Sequence, residues 1–303
     1  MSLARKNFLN RIAVFRRTLE SDFLKDNGVA QNTHNEKAKM LRNGISIIAF
    51  TILEDFIKDR TGEVLERISS SSLGFNLLSL NLQQATTLGA LRSITEKANN
   101  MKRANEDWLT FIQNETKHIA SSSNFPFSIS KFSLGWDKSN LGKDDITYFM
   151  KLFNVDGGWH SIQQLTVKAN ITLAAPDNVF SNAAMRRHKA AHNPEANSLF
   201  SDLEDFSRDA KSLSFAYDVL ISKGLHNIIL QNLNSLSSDS INIRFLIKEA
   251  GMWKEYNSTS QKAIRSDSNY NRLLSKIRSR AQRRNEIIVI KKDLREIHNW
   301  IIV

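Results

Sequence analysis

Residues Met185-Arg186-Arg187-His188-Lys189-Ala190-Ala191-His192-Asn193-Pro194 gather two arginines, two histidines and a lysine in one short run. An imidazole gives and takes a proton near neutral pH, and a guanidinium holds a phosphate bidentately while staying charged. Those groups suit phosphodiester chemistry. Such a reaction needs a base for the nucleophile, an acid for the leaving oxygen and a cation over the phosphate.

The spacing predicts a helix over Asp177–His192 opened by Pro176-Asp177. Pro194 disfavours the helical conformation at Asn193 and so ends the helix at or near His192. A histidine in the last turn sits at the negative end of the helix dipole, which favours the imidazolium. His188 and His192 are one turn apart and share a face, whereas Arg187 lies about 140° round the helix from His192. Arg186 lies about 120° away in the other sense. This gives His192 the general acid/base role, Arg187 the phosphate clamp, with Arg186 as the rival, and His188 an orienting or second proton-transfer role. Lys189 adds positive field. Two histidines one turn apart are also half of a zinc site, but the chain has no cysteine and the run offers no third ligand. The cluster also admits a reading as a solvated basic face that binds without cutting. His34, His118, His160, His226 and His298 stand alone and carry no such reading.

The elements that must position this run read as mainly α. Helices are expected over residues 3–25, with Leu3, Phe8, Ile12, Phe15, Leu19 and Phe23 as its apolar stripe, and over 35–68, buried in its middle on a wide face. Residues 73–119 continue at irregular helical spacing. Pro126 and the alternation Phe127, Ile129, Phe132, Leu134 then predict a non-helical stretch, possible as a short hairpin, to about residue 143. Together 69–143 read as an insertion in a helical domain spanning 1–235. Short helices follow at 144–156 and 161–173, and a long one over 196–223 is expected to close at Gly224.

Beyond Leu236 the texture changes. Residues 241–247, 286–290 and 297–303 are β-rich, a helix is expected over 260–283, and the turn Asp293-Leu294-Arg295-Glu296 pairs the last two strands. This makes 236–303 a small basic α+β domain. Residues 231–303 carry 14 Lys+Arg against 7 Asp+Glu, so this segment supplies most of the formal charge of +11. Arg272, Lys276, Arg280, Arg283 and Arg284 share a helical face opposite Leu273, Ile277 and Ala281, a surface suited to RNA phosphates. The scattered tryptophans, Trp253 and Trp300 among them, read as core.

Three prolines and eleven glycines in 303 residues disfavour a turn-dense all-β protein, and zero cysteines exclude disulfides. Neither a secretory signal nor a run of apolar residues long enough for a membrane span is evident, so a cytoplasmic chain without membrane association is expected.

The run Arg187-His188-(Lys189-Ala190-Ala191)-His192 resembles the motif of the HEPN (higher eukaryotes and prokaryotes nucleotide-binding) ribonucleases: an arginine, a polar residue, and a histidine four to six residues after the arginine. The long helix with Leu41-Arg42-Asn43-Gly44-Ile45 through Phe50-Thr51-Ile52-Leu53-Glu54, and a late motif ahead of a final long helix, are most similar to the RiboL-PSP branch. The likeness spans about residues 1–230, is sharp over 187–192, and departs at the second position, where the family often has Asn or Asp and this chain has His188. It implies a HEPN-like helical bundle and a metal-independent RNA endonuclease without cofactor. In that activity the 2′-hydroxyl attacks the adjacent phosphate, leaving a 2′,3′-cyclic phosphate and a 5′-hydroxyl. It further implies a homodimer pairing two motifs in one cleft, a toxin or phage-defence effector, and an antitoxin or co-encoded defence partner. The other class left open is a non-catalytic HEPN-like RNA-binding or assembly module.

Overall fold

The computed structural model describes residues 2–134, 136, 140–232, 234–258, 262–294 and 296–303. Helix α1 (Leu3–Leu19) is capped by Ser2, whose hydroxyl accepts from the Arg5 amide. Its stripe of Ala4, Phe8, Ile12, Phe15 and Leu19 is buried against α2 (Asn32–Ser69). The helix is shorter than its periodicity predicts. A separate 3-10 turn (Asp22–Leu24) follows, Leu24 rather than Phe23 enters the core, and Phe23 stays exposed.

Helix α2 is the central rod, packed on α1, α8 (Pro176–His192) and α9 (Phe200–Ile229). Aromatic pairs mark two of these seams, Phe8 with Phe56 and Phe50 with Phe180, and a third, Phe15 with Phe206, joins α1 to α9. The first half of α2 is less covered than expected, since Met40, Leu41 and Ile48 are exposed. Helix α9 is buried on every side from Ala210 to Leu225, because helices cover one flank and a sheet covers the other. It runs through Gly224 instead of stopping there. A Cβ at Gly224 would lie 2.2 Å from the Phe153 carbonyl oxygen, so the glycine permits close approach of the chain after α6 (Lys143–Leu152).

Residues 69–143 hold α3 (Leu80–Gln84), α4 (Ala90–Arg103) and α5 (Trp108–Ala120). They bury a small satellite core of Ala90, Ile94 and Phe132. Among the described residues, 121–142 form no hairpin. The amide of Ser128 bonds the Ser121 hydroxyl at 2.9 Å, and that of Ile129 bonds the Ser69 hydroxyl at 3.2 Å. Side chains thus supply the partners a second strand would have provided. Phe127, Ile129 and Leu134 dock directly on the main core. Helix α7 (Trp159–Lys168) then packs on α8 and α9.

The C-terminal segment is a five-stranded sheet, β3 (Arg265–Asp267), β2 (Met252–Asn257), β1 (Asn242–Glu249), β4 (Glu286–Lys291) and β5 (Asn299–Ile302) in spatial order, with β1 and β4 parallel. Strand β4 pairs with β5 antiparallel, as expected; Arg295 in the predicted turn, and Ser260 at the predicted helix start, lie outside the described residues. Successive side chains alternate faces. Ile243, Phe245, Ile247, Ile287 and Val289 join the core of the helices, while Leu246, Ile288 and Ile290 pack under α10 (Tyr270–Arg283). Strand β2 is not anticipated because Lys254-Glu255 interrupts its apolar residues, and β3 lies within the stretch expected as helix from 260, which starts only at Tyr270. Glu255 is in fact buried, paired with Arg244 and Arg280.

The sheet is anchored to the helices by a buried charge cluster. Asp218 on α9 accepts from Arg5 Nε (2.9 Å) and Nη2 (2.6 Å), Arg60 Nε (2.6 Å), the Ser222 hydroxyl (3.1 Å) and Trp300 Nε1 (2.7 Å). Arg5 also donates to the Trp300 carbonyl at 2.8 Å, so one guanidinium links α1, α9 and β5. Burial opposes ionisation of Asp218, but the charges of Arg60 and Arg5 and the bonds from Arg60 and Trp300 outweigh it and hold its carboxyl below the usual carboxylate range.

Candidate functional site at the end of helix α8

Helix α8 begins with Pro176 at its first position, and Asn193, just before Pro194, is extended at φ −121°, ψ 110°. The helix therefore stops at His192 as its sequence predicts. Only its first half is held in the core, through Pro176, Phe180 and Ala183. Phe180 lies between Phe50 and Trp159. The last turns project outward.

Taking Phe180 as the inward direction, the helical repeat places Arg187 within about 20° of it, His188 and His192 about 80° and 120° to one side, and Arg186 about 120° to the other. The observed contacts follow this order. Arg186 turns to α9, its Nη1 4.0 Å from Asp202 Oδ2. Arg187 lies part-buried along the helix, and its Nε is enclosed with no hydrogen-bond partner. His188 and His192 are exposed, with ring centroids 4.8 Å apart and planes inclined at 52°. Met185 shares their face and is 49% exposed. Lys189 is exposed as well.

His192 also forms one wall of a cleft of about 640 Å³ between the end of α8 and the first half of α2, lined opposite by Lys39, Met40, Asn43, Gly44 and Ile47. The chain leaving α8 is pinned to α2 by two side chains. Arg42, 2% exposed, donates to the Ser198 carbonyl (2.8 Å), Asn197 Oδ1 (3.0 Å), the Leu24 carbonyl (2.9 Å) and Asp26 Oδ1 (3.0 Å). Asn43 donates to the Ala196 carbonyl at 2.7 Å and accepts from the Ser198 amide at 3.0 Å. Arg42 and Asn43 thus fix the chain that leaves His192; Asn43 also lines the cleft opposite it, whereas Arg42 does not. Their signal in the sequence is an Arg-Asn pair interrupting an apolar helix, but its target, a loop far along the chain, was not legible.

The other predicted cations lie on α10 or, for Arg284, at its C-terminal cap, and do not line this cleft. Two already hold carboxylates. Arg272 grips Asp267 through two 2.6 Å bonds, and this grip, with the Asn269 amide, holds the Asp267 carboxyl down at about 2. Arg280 bonds Glu255 at 2.9 Å. Lys276, Arg283 and Arg284 have no carboxylate partner among the described residues.

Among the described residues no group of three histidine, cysteine or acidic side chains is arranged to hold a metal, and none supplies a third ligand to the His188–His192 pair. No helix is long and apolar enough to cross a membrane, again among the described residues. Comparison with protein-family models, curated proteins and solved structures finds no match to this chain.

Proposed function

We propose that the chain is a metal-independent RNA endonuclease of HEPN type, acting as a toxin or defence effector without a cofactor. The observation that carries this reading is the exposed imidazole pair at the end of α8, with ring centroids 4.8 Å apart. In the proposed reaction the 2′-oxygen attacks phosphorus, its proton passes to a neutral imidazole, and the P–O5′ bond breaks as an imidazolium protonates the leaving oxygen. The products are a 2′,3′-cyclic phosphate and a 5′-hydroxyl. His192 is the general acid/base, and His188 is the orienting or second proton-transfer group. Arg187 is the phosphate clamp, stabilising the charge that builds on the pentacoordinate phosphate once its part-buried guanidinium turns toward the imidazole face.

The need for both an acid and a base supports a two-fold dimer that pairs two copies of this face. Lys276, Arg283 and Arg284 serve to hold RNA phosphates. They equally favour the second reading, an RNA-binding module that does not cut. Incubating RNA with the purified chain in EDTA separates the two. Cleavage that leaves cyclic-phosphate ends and is lost in His192→Ala and Arg187→Ala supports the nuclease. Intact RNA with the wild-type dimer, or cleavage at the wild-type rate by either variant, refutes it.

A further inference from the structure

A second cleft, of about 430 Å³, opens where the helical part meets the sheet. Its walls come from the start of α1, the last turns of α2, α10 and β5. Four guanidinium groups reach it: Arg5, Arg60, Arg67 and Arg278. Arg5 is neutralised by Asp218, and Arg60 by Asp218 and Glu63. Glu63 is doubly engaged, since its other oxygen accepts the Ala4 amide at 2.7 Å. Arg67 and Arg278 have no carboxylate within ion-pair distance among the described residues, and the remaining acid of the lining is Glu66. Two unmatched guanidinium groups therefore face one carboxylate. Burial, reinforced by the nearby charge of Arg60, pushes the Arg67 guanidinium below its ordinary pKa, the direction expected of a cation short of anionic company.

The rest of the lining combines polar Ser2 and Asn299 with an apolar side formed by Tyr270, Trp300, Ile301 and Ile302. Tyr270 is half-buried, its ring 4.9 Å from that of Trp253, and Ile301 and Ile302 are only partly covered. A volume of this size suits a small molecule rather than a polymer. The geometry points to a binding site for a phosphomonoester carrying a planar ring, a nucleoside monophosphate in size and chemistry. Arg67 and Arg278 would hold the phosphate, and Tyr270 with Ile302 would cover the ring. Arg67 belongs to the helical part and Arg278 to the α+β part, so one bound phosphate would bridge the two. The phosphomonoester has two possible sources, a free nucleotide or the 5′-phosphate of an RNA end.

Titration calorimetry and thermal unfolding of the full chain with AMP, adenosine, and short RNAs bearing a 5′-phosphate or a 5′-hydroxyl test the site. AMP should bind and raise the melting temperature, while adenosine should bind at least tenfold more weakly. Arg67→Ala and Arg278→Ala should each weaken AMP tenfold or more without moving the melting temperature of the free protein, because neither side chain belongs to the Asp218 cluster. His192→Ala should leave AMP binding unchanged, which separates this site from the end of α8. Competition by 5′-phosphorylated RNA but not its 5′-hydroxyl form assigns the phosphate to an RNA end; no competition by either assigns it to free nucleotide. Absence of AMP binding at millimolar concentration, or binding indifferent to both arginine variants, overturns the proposal.

Discussion

Replacing Asp218 by Asn tests whether the buried charge cluster is what holds the sheet on the helices. The side chain is fully enclosed, and its partners Arg5 and Arg60 are only 5% and 1% exposed, so solvent does little to screen the loss. An asparagine keeps the shape but turns one acceptor oxygen into a donor. Whichever way the amide points, it meets donors: Arg60 and Ser222 at one position, Arg5 and Trp300 at the other. Two arginines lose their shared anion, and Arg5 is left with no carboxylate. Breaking a buried pair by removing one partner costs about 3–5 kcal/mol. Against a typical stability of about 5–15 kcal/mol this is a large fraction. With a urea m-value of about 3 kcal/mol/M for a chain this long, the unfolding midpoint should fall by about 1 M or more. Ser222→Ala, which removes the longest of the five bonds and also the acceptor of Arg60 Nη2 at 2.9 Å, should cost about 1–3 kcal/mol.

The same cluster gives a pH dependence. Because the folded-state pKa of Asp218 lies below its unfolded value, its stabilisation is complete above about pH 4 and is lost as pH falls through the folded pKa. Wild type should therefore lose stability in acid more steeply than Asp218→Asn. A midpoint for the variant within about 0.2 M of wild type at neutral pH, or parallel acid profiles, would show that the sheet is held by apolar packing alone.

Four further outcomes follow from named contacts. His192→Ala should slow RNA cleavage by about 10²–10⁴-fold with the urea midpoint unchanged, and an equal loss of stability would mark His192 as structural. Gly224→Ala should destabilise by about 1–3 kcal/mol through its clash with the Phe153 carbonyl, outweighing the gain of about 1 kcal/mol in helix propensity; a stabilised variant would contradict the close approach. Burial pushes the Lys291 ammonium down to about 8, against the opposing pull of Asp293, so the folded chain releases its proton before the unfolded chain does. Wild type should then gain stability over Lys291→Met between about pH 8 and pH 10, measured as the difference in urea midpoints, and a flat difference would exclude the effect. Neutralising Lys276, Arg283 and Arg284 to Gln together should lower the slope of log affinity for single-stranded RNA against log salt by about 2, while an unchanged slope would place the RNA elsewhere.

The local part of the site was legible in the sequence. Pro176 and Pro194 bracket α8, because each proline acts on its own backbone and that of its neighbour, and the helical repeat then sets the order of Arg186, Arg187, His188 and His192 round the axis. The mainly helical class and the late switch to strands were equally visible in the periodicity of apolar residues. What the sequence did not disclose depended on partners distant along the chain. Whether Phe23 or Leu24 enters the core, whether Gly224 ends a helix or admits a carbonyl, and whether Phe127 and Ile129 pair as a hairpin or dock singly are decided by the surface each one meets. Charges were misleading for the same reason. Glu255 in β2, Arg42 above the exit of α8 and Asp218 under the sheet look solvent-exposed in a linear reading, yet each is buried because opposite charges or carbonyls from other elements converge on it. Periodicity records which side of an element avoids water. Only the tertiary structure decides which polar groups are paired well enough to leave it.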